Sequence, residues 1–520
     1  MTPLDWTIVI VYMFGMIGLS VYLGRSQEDQ ADYYVGGRKL PWWAIGISTM
    51  ATQTSAISFI SIPAFVALKE GGGLTWLQYE LAVPLAMIVV MAVLIPFFRR
   101  LELVSVYRYL ELRYGRRSRL FVSGVFLFSR GVATGVGVYA SAIVLSVCLG
   151  LPVWATILVI GIVTIIYDTI GGMSAVVYSD VIQMVILVAG LLFCIAYALI
   201  DVGGWSEAWS LLPDARKQAI DWSAGVGDES TVPFWAFLFG GLFLYTSYYG
   251  TDQSQVQREL SADSTAGARK ALVLNGFARF PLTVLYILMG VAVYAVYATS
   301  PDLQAAVPTD RPDFLVPQFI LLELPTGVRA ILFAALLAAA MSSLDSALNS
   351  LSASTMRDFL ANRIGPDREV VWSKGTTVVW GLLITTLAFF VDSISDTVIE
   401  AINKVGSAFY GPILATFLMG VLTKRVDATG AISGLLTGVL VNVSLWLFVP
   451  GVHWMWWNVI GCAVTAGVAL VASKGQLKQD ALEYTIYGSG GMEDSSAWRG
   501  VYVSLIGYFV AMVSVLVLLG

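Results

Sequence analysis

Apolar runs of 18 residues or more recur along this chain from its beginning to its end. No other feature constrains the fold so much. Hydrocarbon offers no partner to a backbone N–H or C=O, so only helices and closed barrels satisfy those groups internally. Runs of this length suit helices of about 20 residues rather than barrel strands of about 10. The sequence therefore predicts an all-α polytopic membrane protein. At 12% charged residues the chain has about half the charged share of a soluble domain, which excludes a soluble multidomain enzyme. Cys148, Cys194 and Cys462 all fall in apolar runs, without metal-ligand or disulfide spacing. His453 is the single histidine, so a histidine-based catalytic or metal site is not expected. The first run has no basic leader or small-residue cleavage pattern and reads as a retained span.

Fourteen spans are expected, near residues 4–24, 42–67, 76–98, 120–149, 152–170, 179–200, 232–253, 269–297, 327–356, 375–395, 397–422, 429–449, 453–473 and 500–519. Of the 30 lysines and arginines, 22 fall in one alternating set of loops and five (Lys69, Arg216, Lys217, Arg311, Arg329) in the other. The remaining three, Arg130, Arg279 and Lys404, lie inside spans. The positive-inside rule makes the richer side cytoplasmic and puts both termini outside. The expected location is a cell membrane, most simply a bacterial inner membrane, with the lipid bilayer as partner and no nucleic acid.

Two spans are poor simple anchors. One carries ISTMATQTSAISFISIP, with hydroxyls through its middle; the other carries FGGLFLYTSYYGTDQ, polar and punctuated by glycine. They stand five spans apart; if the spans form two repeats, 42–200 and 232–422, each opens one, with 4–24 and 429–519 as flanking helices of one transmembrane domain. An odd number of spans per repeat inverts the second against the first. Interrupted helices at matching positions of inverted repeats point to a substrate site near the bilayer midplane. Packing hydroxyls at helix interfaces are the plainer alternative.

The most polar buried stretch is AAAMSSLDSALNS, residues 338–350. Ser342, Asp345, Ser346 and Asn349 sit at i, i+3, i+4 and i+7 and share one helical face. A hydroxyl can bond back to its own helix, but a carboxylate in hydrocarbon needs a partner. This face offers oxygens and no cation of its own.

DYYVGGR (32–38), GGMSAVVYSDVIQ (171–183), the Gln257–Arg258 pair and AALLAAAMSSLDSALNS together resemble the sodium:solute symporter family, in order, over about residues 5–475. The resemblance implies a LeuT-type five-plus-five inverted repeat with flanking helices and sodium-driven uptake, with Na+ as coupling ion and no other cofactor. It implies a sodium site made by carbonyls of Ala51, Thr54 and Ala339 and hydroxyls of Ser342 and Ser343. Hard cations take several such oxygens. Similarity to sialic acid symporters implies a second sodium site at Asp180, Ser342, Asp345 and Ser346, with Asp345 where those relatives carry serine. It binds sodium or takes a proton. Sodium-coupled sugar symporters supply the match for a solute site at Ser58, Glu80, Tyr248, Arg279 and Asn403. Ser58 and Ala133 depart from that pattern, and Arg130, one turn before Ala133, is a candidate to compensate. The expected function is sodium symport of a small polar organic solute, a sugar or polyol first, a sugar acid such as sialic acid, another organic anion or an amino acid second. Glu80 with Arg279 also reads as a structural ion pair. A transporter-like sensor lacks room for a signalling domain in the roughly 25 residues before the last span, and an Asp180–Asp345 protease pair lacks supporting motifs.

Overall fold

The computed structural model describes residues 2–519 apart from 223, 229–230, 361–362, 392–397, 475–478 and 489–495. The described residues form helices and no strand. Eleven helices are long and apolar enough to cross a membrane, or twelve when the bent pair Trp42–Gln53 and Ala56–Ala67 counts as one span. Among the described residues this count differs from the expected fourteen in how two stretches are divided. Residues 152–170 and 179–200 belong to one helical run, Val153–Val202. At about 1.5 Å per residue its 50 residues would extend about 75 Å, more than twice a hydrocarbon core of about 30 Å. The run is interrupted at Gly172, where φ is 56° and ψ −158°. A Cβ there would stand 2.6 Å from the Tyr33 carbonyl oxygen, so the DYYVGGR segment and the break require glycine. The stretch expected at 232–253 is divided into wide-turned Ala236–Gly240 and an 11-residue helix, Gly241–Thr251, too short to count alone. The boundary expected at 395–397, and Lys478 in its loop, lie outside the described residues.

The break expected in residues 42–67 is a real one. Trp42–Gln53 ends at Thr54 (φ −95°, ψ 80°), Ser55 is extended, and Ala56–Ala67 departs at 57°. Thr and Ser there compete for backbone bonds and favour helix ends over interiors. Pro63 cannot donate to the turn before it, which loosens the second half further. All twelve residues from Ala56 to Ala67 are buried. Thr265–Thr299 packs closely on them through Gly290, where a Cβ would meet Val66 at 2.7 Å and the Pro63 carbonyl at 3.0 Å.

Position within the bundle follows polarity. In the helix Val328–Leu360, 89% of the most apolar window is buried, against 17% for Pro3–Leu23 and Ser496–Leu519. The serine-rich helix is therefore central. The two terminal helices are peripheral and turn residues such as Phe14 and Leu518 outward. Alanines along the central helix let its neighbours approach closely, the usual packing device where lipid supplies no hydrophobic drive.

Candidate functional site

A cavity of about 150 Å³ opens beside the helix break. All five side chains expected at the solute, Ser58, Glu80, Tyr248, Arg279 and Asn403, line it. Arg279 donates to Glu80 through Nε at 3.3 Å and through a second, shorter contact from a terminal nitrogen. Its other terminal nitrogen donates to the Thr54 hydroxyl at 2.9 Å, so one guanidinium ties the break to the acid. Asn403 accepts from the Tyr79 hydroxyl at 3.0 Å. The Tyr248 ring meets Tyr410 edge-on at 5.9 Å between centroids. Arg130 lies 6.0 Å from the Tyr248 centroid and 3.6 Å from the Asp252 carboxylate. Both Arg130 and Ala133 line the cavity, so the arginine reaches the space that the short alanine leaves.

The residues expected at the first sodium site lie where the break meets the central helix, but they are not all turned the same way. Ala51 accepts from the Thr54 N–H at 2.9 Å. Ser343 lines the cavity and donates to the Ala339 carbonyl at 3.4 Å, a long bond that leaves its oxygen lone pairs available. Ser342 turns away from the cavity and donates to Asp180.

The residues expected at the second site, Asp180, Ser342 and Ser346, come together, and a cation from the chain itself stands among them. Arg258, fully buried, reaches Asp180 at 3.1 Å and donates to Ser346 through the same terminal nitrogen. Its Nε donates to the Ser48 hydroxyl at 2.7 Å, and Ser48 donates to Asp180 at 2.6 Å. Asp345 accepts instead from the Tyr167 hydroxyl at 2.5 Å and from Ser346 at 3.2 Å. Asn349, one turn further on, accepts from Gln257 at 2.6 Å. Each polar residue of the serine-rich face thus has a partner on Val153–Val202 or on the short helix Gln253–Leu260.

Arg258 as a partner, and Tyr167, Ser48, Tyr410 and Asp252, stand outside the residues expected at these sites. A signal was present. A carboxylate at residue 180, in the middle of an apolar run, demands a cation, and QSQVQREL supplies one directly after the interrupted span 232–253. Buried pairs recur, Glu80–Arg279, Asp180–Arg258 and Asp358–Arg119, with a partly buried fourth, Asp252–Arg130.

The model of the "Sodium:solute symporter family" matches residues 33–438. The chain is 28% identical over 496 residues to the sodium/sialic acid symporter NanT of Aliivibrio fischeri, covering 92% of this chain and 95% of that one. It is 29% identical over 439 residues to the human sodium/iodide cotransporter, covering 83% and 67%. Its fold is similar to a solved Na+-coupled sialic acid symporter, described as substrate-bound, outward-open and revealing a novel Na+ site. That likeness has a TM-score of 0.82 at 26% identity, over 92% of this chain and 99% of that one. With a family match spanning most of its length and a helical bundle of the same architecture, the chain belongs to the sodium:solute symporter family.

Proposed function

We propose that the chain couples sodium entry to uptake of a neutral polyhydroxy solute, a sugar or polyol, held in the cavity beside the helix break. The convergence of Ser58, Glu80, Tyr248, Arg279 and Asn403 on one cavity is the observation that carries this reading. Glu80, Arg279 and Asn403 offer donors and acceptors for hydroxyls, and the Tyr248 ring offers an apolar face for a sugar ring. Both cavity arginines already face carboxylates, Arg279 to Glu80 and Arg130 to Asp252, so little positive charge is left for an anionic solute. A carboxylated sugar is the second reading. It is favoured by the loose 3.6 Å pairing of Arg130, which one carboxylate could compete for, and by likeness to relatives named for sialic acid.

In this reading Ala51, Thr54, Ala339, Ser342 and Ser343 hold the coupling sodium. Asp180, Ser342, Asp345 and Ser346 take a second only when Arg258 withdraws, because the guanidinium and a sodium ion compete for the same oxygens. Residues 42–200 and 232–422 act as the two inverted halves, with the arginine-rich loops cytoplasmic. Thermal stabilisation of the purified protein by sodium, measured across hexoses, polyols, sugar acids and amino acids, tests the assignment. A neutral sugar or polyol should add stabilisation that requires sodium. Stabilisation confined to carboxylates and lost in Arg130→Gln would favour the second reading. Solute stabilisation that is the same in potassium would end both.

A further inference from the structure

A second cavity, of about 530 Å³, opens on the arginine-rich side, away from the solute site. It lies among the segment after Gln30–Val35, the 101–108 loop, the start of Arg116–Leu149 and the end of the central helix. Five arginines line it, Arg38, Arg108, Arg116, Arg119 and Arg357, against three acids, Glu102, Glu111 and Asp358. Two of the acids are committed. Asp358 accepts from Arg119 at 2.8 Å, Ser105 at 3.0 Å and Ser123 at 2.6 Å. Glu111 takes Arg108 and Arg119, both at 2.5 Å. No carboxylate of the described residues lies within ion-pair distance of Arg38, Arg116 or Arg357, and Glu369 and Asp29 act on Arg357 only from further off. Arg38 spends one nitrogen on the carbonyls of Glu102 and Leu103, while the Nε atoms of Arg38 and Arg357 are buried without a partner. An excess of guanidinium groups lining a polar cavity points to an anionic ligand.

The backbone agrees. Arg38 (φ 54°) and Glu102 (φ 47°) are the two non-glycine residues with left-handed φ among those described, and Arg38 donates to Glu102 at 2.6 Å. Strained conformations of this kind persist where surrounding structure over-determines them, and they cluster at ligand sites. Five positive and three negative side chains leave a surplus of two. Planar guanidinium forks suit phosphate oxygens better than a spherical halide.

We propose that this cavity binds a phosphate group carrying about two negative charges, from a phospholipid headgroup or a soluble phosphomonoester. The site is independent of the solute reading. It joins the segment around Arg38, the 101–108 loop and the start of Arg116–Leu149 to the end of the helix that carries Ser342 and Ser343, so occupancy holds that end of the transporter together.

The test uses the full-length purified protein at constant ionic strength and constant sodium. Inorganic phosphate and glycerol 3-phosphate should raise the thermal unfolding midpoint saturably where equal chloride does not. Arg357→Gln and, separately, the exposed Arg116→Gln should each weaken that response about tenfold or more, the value of one charge-assisted bond. Their sodium-induced stabilisation should be retained. Nanodiscs distinguish the sources. If phosphatidic acid stabilises the protein over phosphatidylcholine and abolishes the phosphate response, the lipid is the ligand; if phosphate still acts in either bilayer, the ligand is soluble. No effect of phosphate beyond chloride and no lipid preference would overturn the proposal. So would an undiminished response in Arg116→Gln, which keeps the test open even where Arg357→Gln fails to fold.

Discussion

Glu80 and Arg279 should behave as one coupled unit whose removal is cheaper than its halving. The side chains of Glu80 and Arg279 are only 2% and 7% exposed, and the arginine also donates to Thr54. Two unit charges about 4 Å apart attract by about 4 kcal/mol at an effective dielectric of 20, and breaking a buried pair costs about 3–5 kcal/mol because one charge is left unmatched. Glu80→Gln should therefore destabilise by that amount, as should Arg279→Gln. The double variant leaves two neutral amides of similar reach and should recover most of the loss. Single losses of about 3–5 kcal/mol each and a double loss of about 2 kcal/mol or less give a coupling energy of about 4 kcal/mol or more for the cycle. Reversible unfolding in detergent at fixed sodium, followed by tryptophan fluorescence, measures it. Near-additive losses, with coupling below about 0.5 kcal/mol, would refute the pairing. The same variants divide the two roles of the pair. If the double variant folds and responds to sodium but binds no sugar, the pair also contacts solute. If it binds sugar with unchanged affinity, the pair is structural and the solute assignment at Glu80 and Arg279 falls.

Ser343→Ala should raise the sodium concentration for half-maximal uptake several-fold with normal expression, and Ser342→Ala should raise it further because that hydroxyl also serves Asp180; unchanged sodium dependence in both would remove them from the ion site. Arg258→Gln should destabilise the sodium-free protein by about 3 kcal/mol or more, since Asp180 loses its cation, and sodium should restore more stability to the variant than to the parent; equal sodium responses would show that ion and guanidinium do not compete. For a neutral solute, one sodium moving inward through about 100 mV contributes about 2.3 kcal/mol, and a tenfold gradient adds about 1.4 kcal/mol, enough for roughly a 500-fold accumulation. Uptake into vesicles should rise with an imposed inside-negative potential, and indifference to that potential would exclude electrogenic symport.

Much of the candidate site was legible in the residues because its signals are local. Hydroxyls clustered at 48–55 favour a helix end over a helix interior, and the break appears among them, at Thr54 and Ser55. The five solute-site positions, taken from segment-to-segment resemblance, line one cavity because the order and spacing of the spans fix which faces meet. The span divisions were less legible, because apolar length does not show how helices are interrupted: Val153–Val202 breaks at the single residue Gly172, while 236–251 is divided into shorter pieces. The partner of Asp180 was the largest omission. It comes from 78 residues along the chain, and periodicity on one helix cannot reveal a side chain that enters from another.

That omission bears on how the protein moves. Glu80, Arg130, Arg119 and Asp180 belong to the proposed half 42–200; their partners Arg279, Asp252, Asp358 and Arg258 belong to 232–422. Each of these pairs therefore crosses from one half to the other. Rocking one half against the other must either carry a pair along intact or separate charges in a low dielectric, at a cost of several kcal/mol. Ligands lower that cost only where they can replace a lost partner. Sodium can do so at one of the four, since Asp180, Ser342 and Ser346 present the oxygens that a hard cation takes. A solute hydroxyl can do so at Glu80–Arg279, inside the cavity. Asp358–Arg119, which Ser105 and Ser123 also hold, has neither replacement and is the pair most suited to move as a rigid joint. Coupling would then reside in two exchangeable pairs, one opened by ion and one by solute, around a fixed third. The order of events can be read from Arg258→Gln: with the Asp180 latch already released, solute binding should depend less on sodium than in the parent. An unaltered sodium requirement for solute binding would mean that the latch does not couple the two ligands.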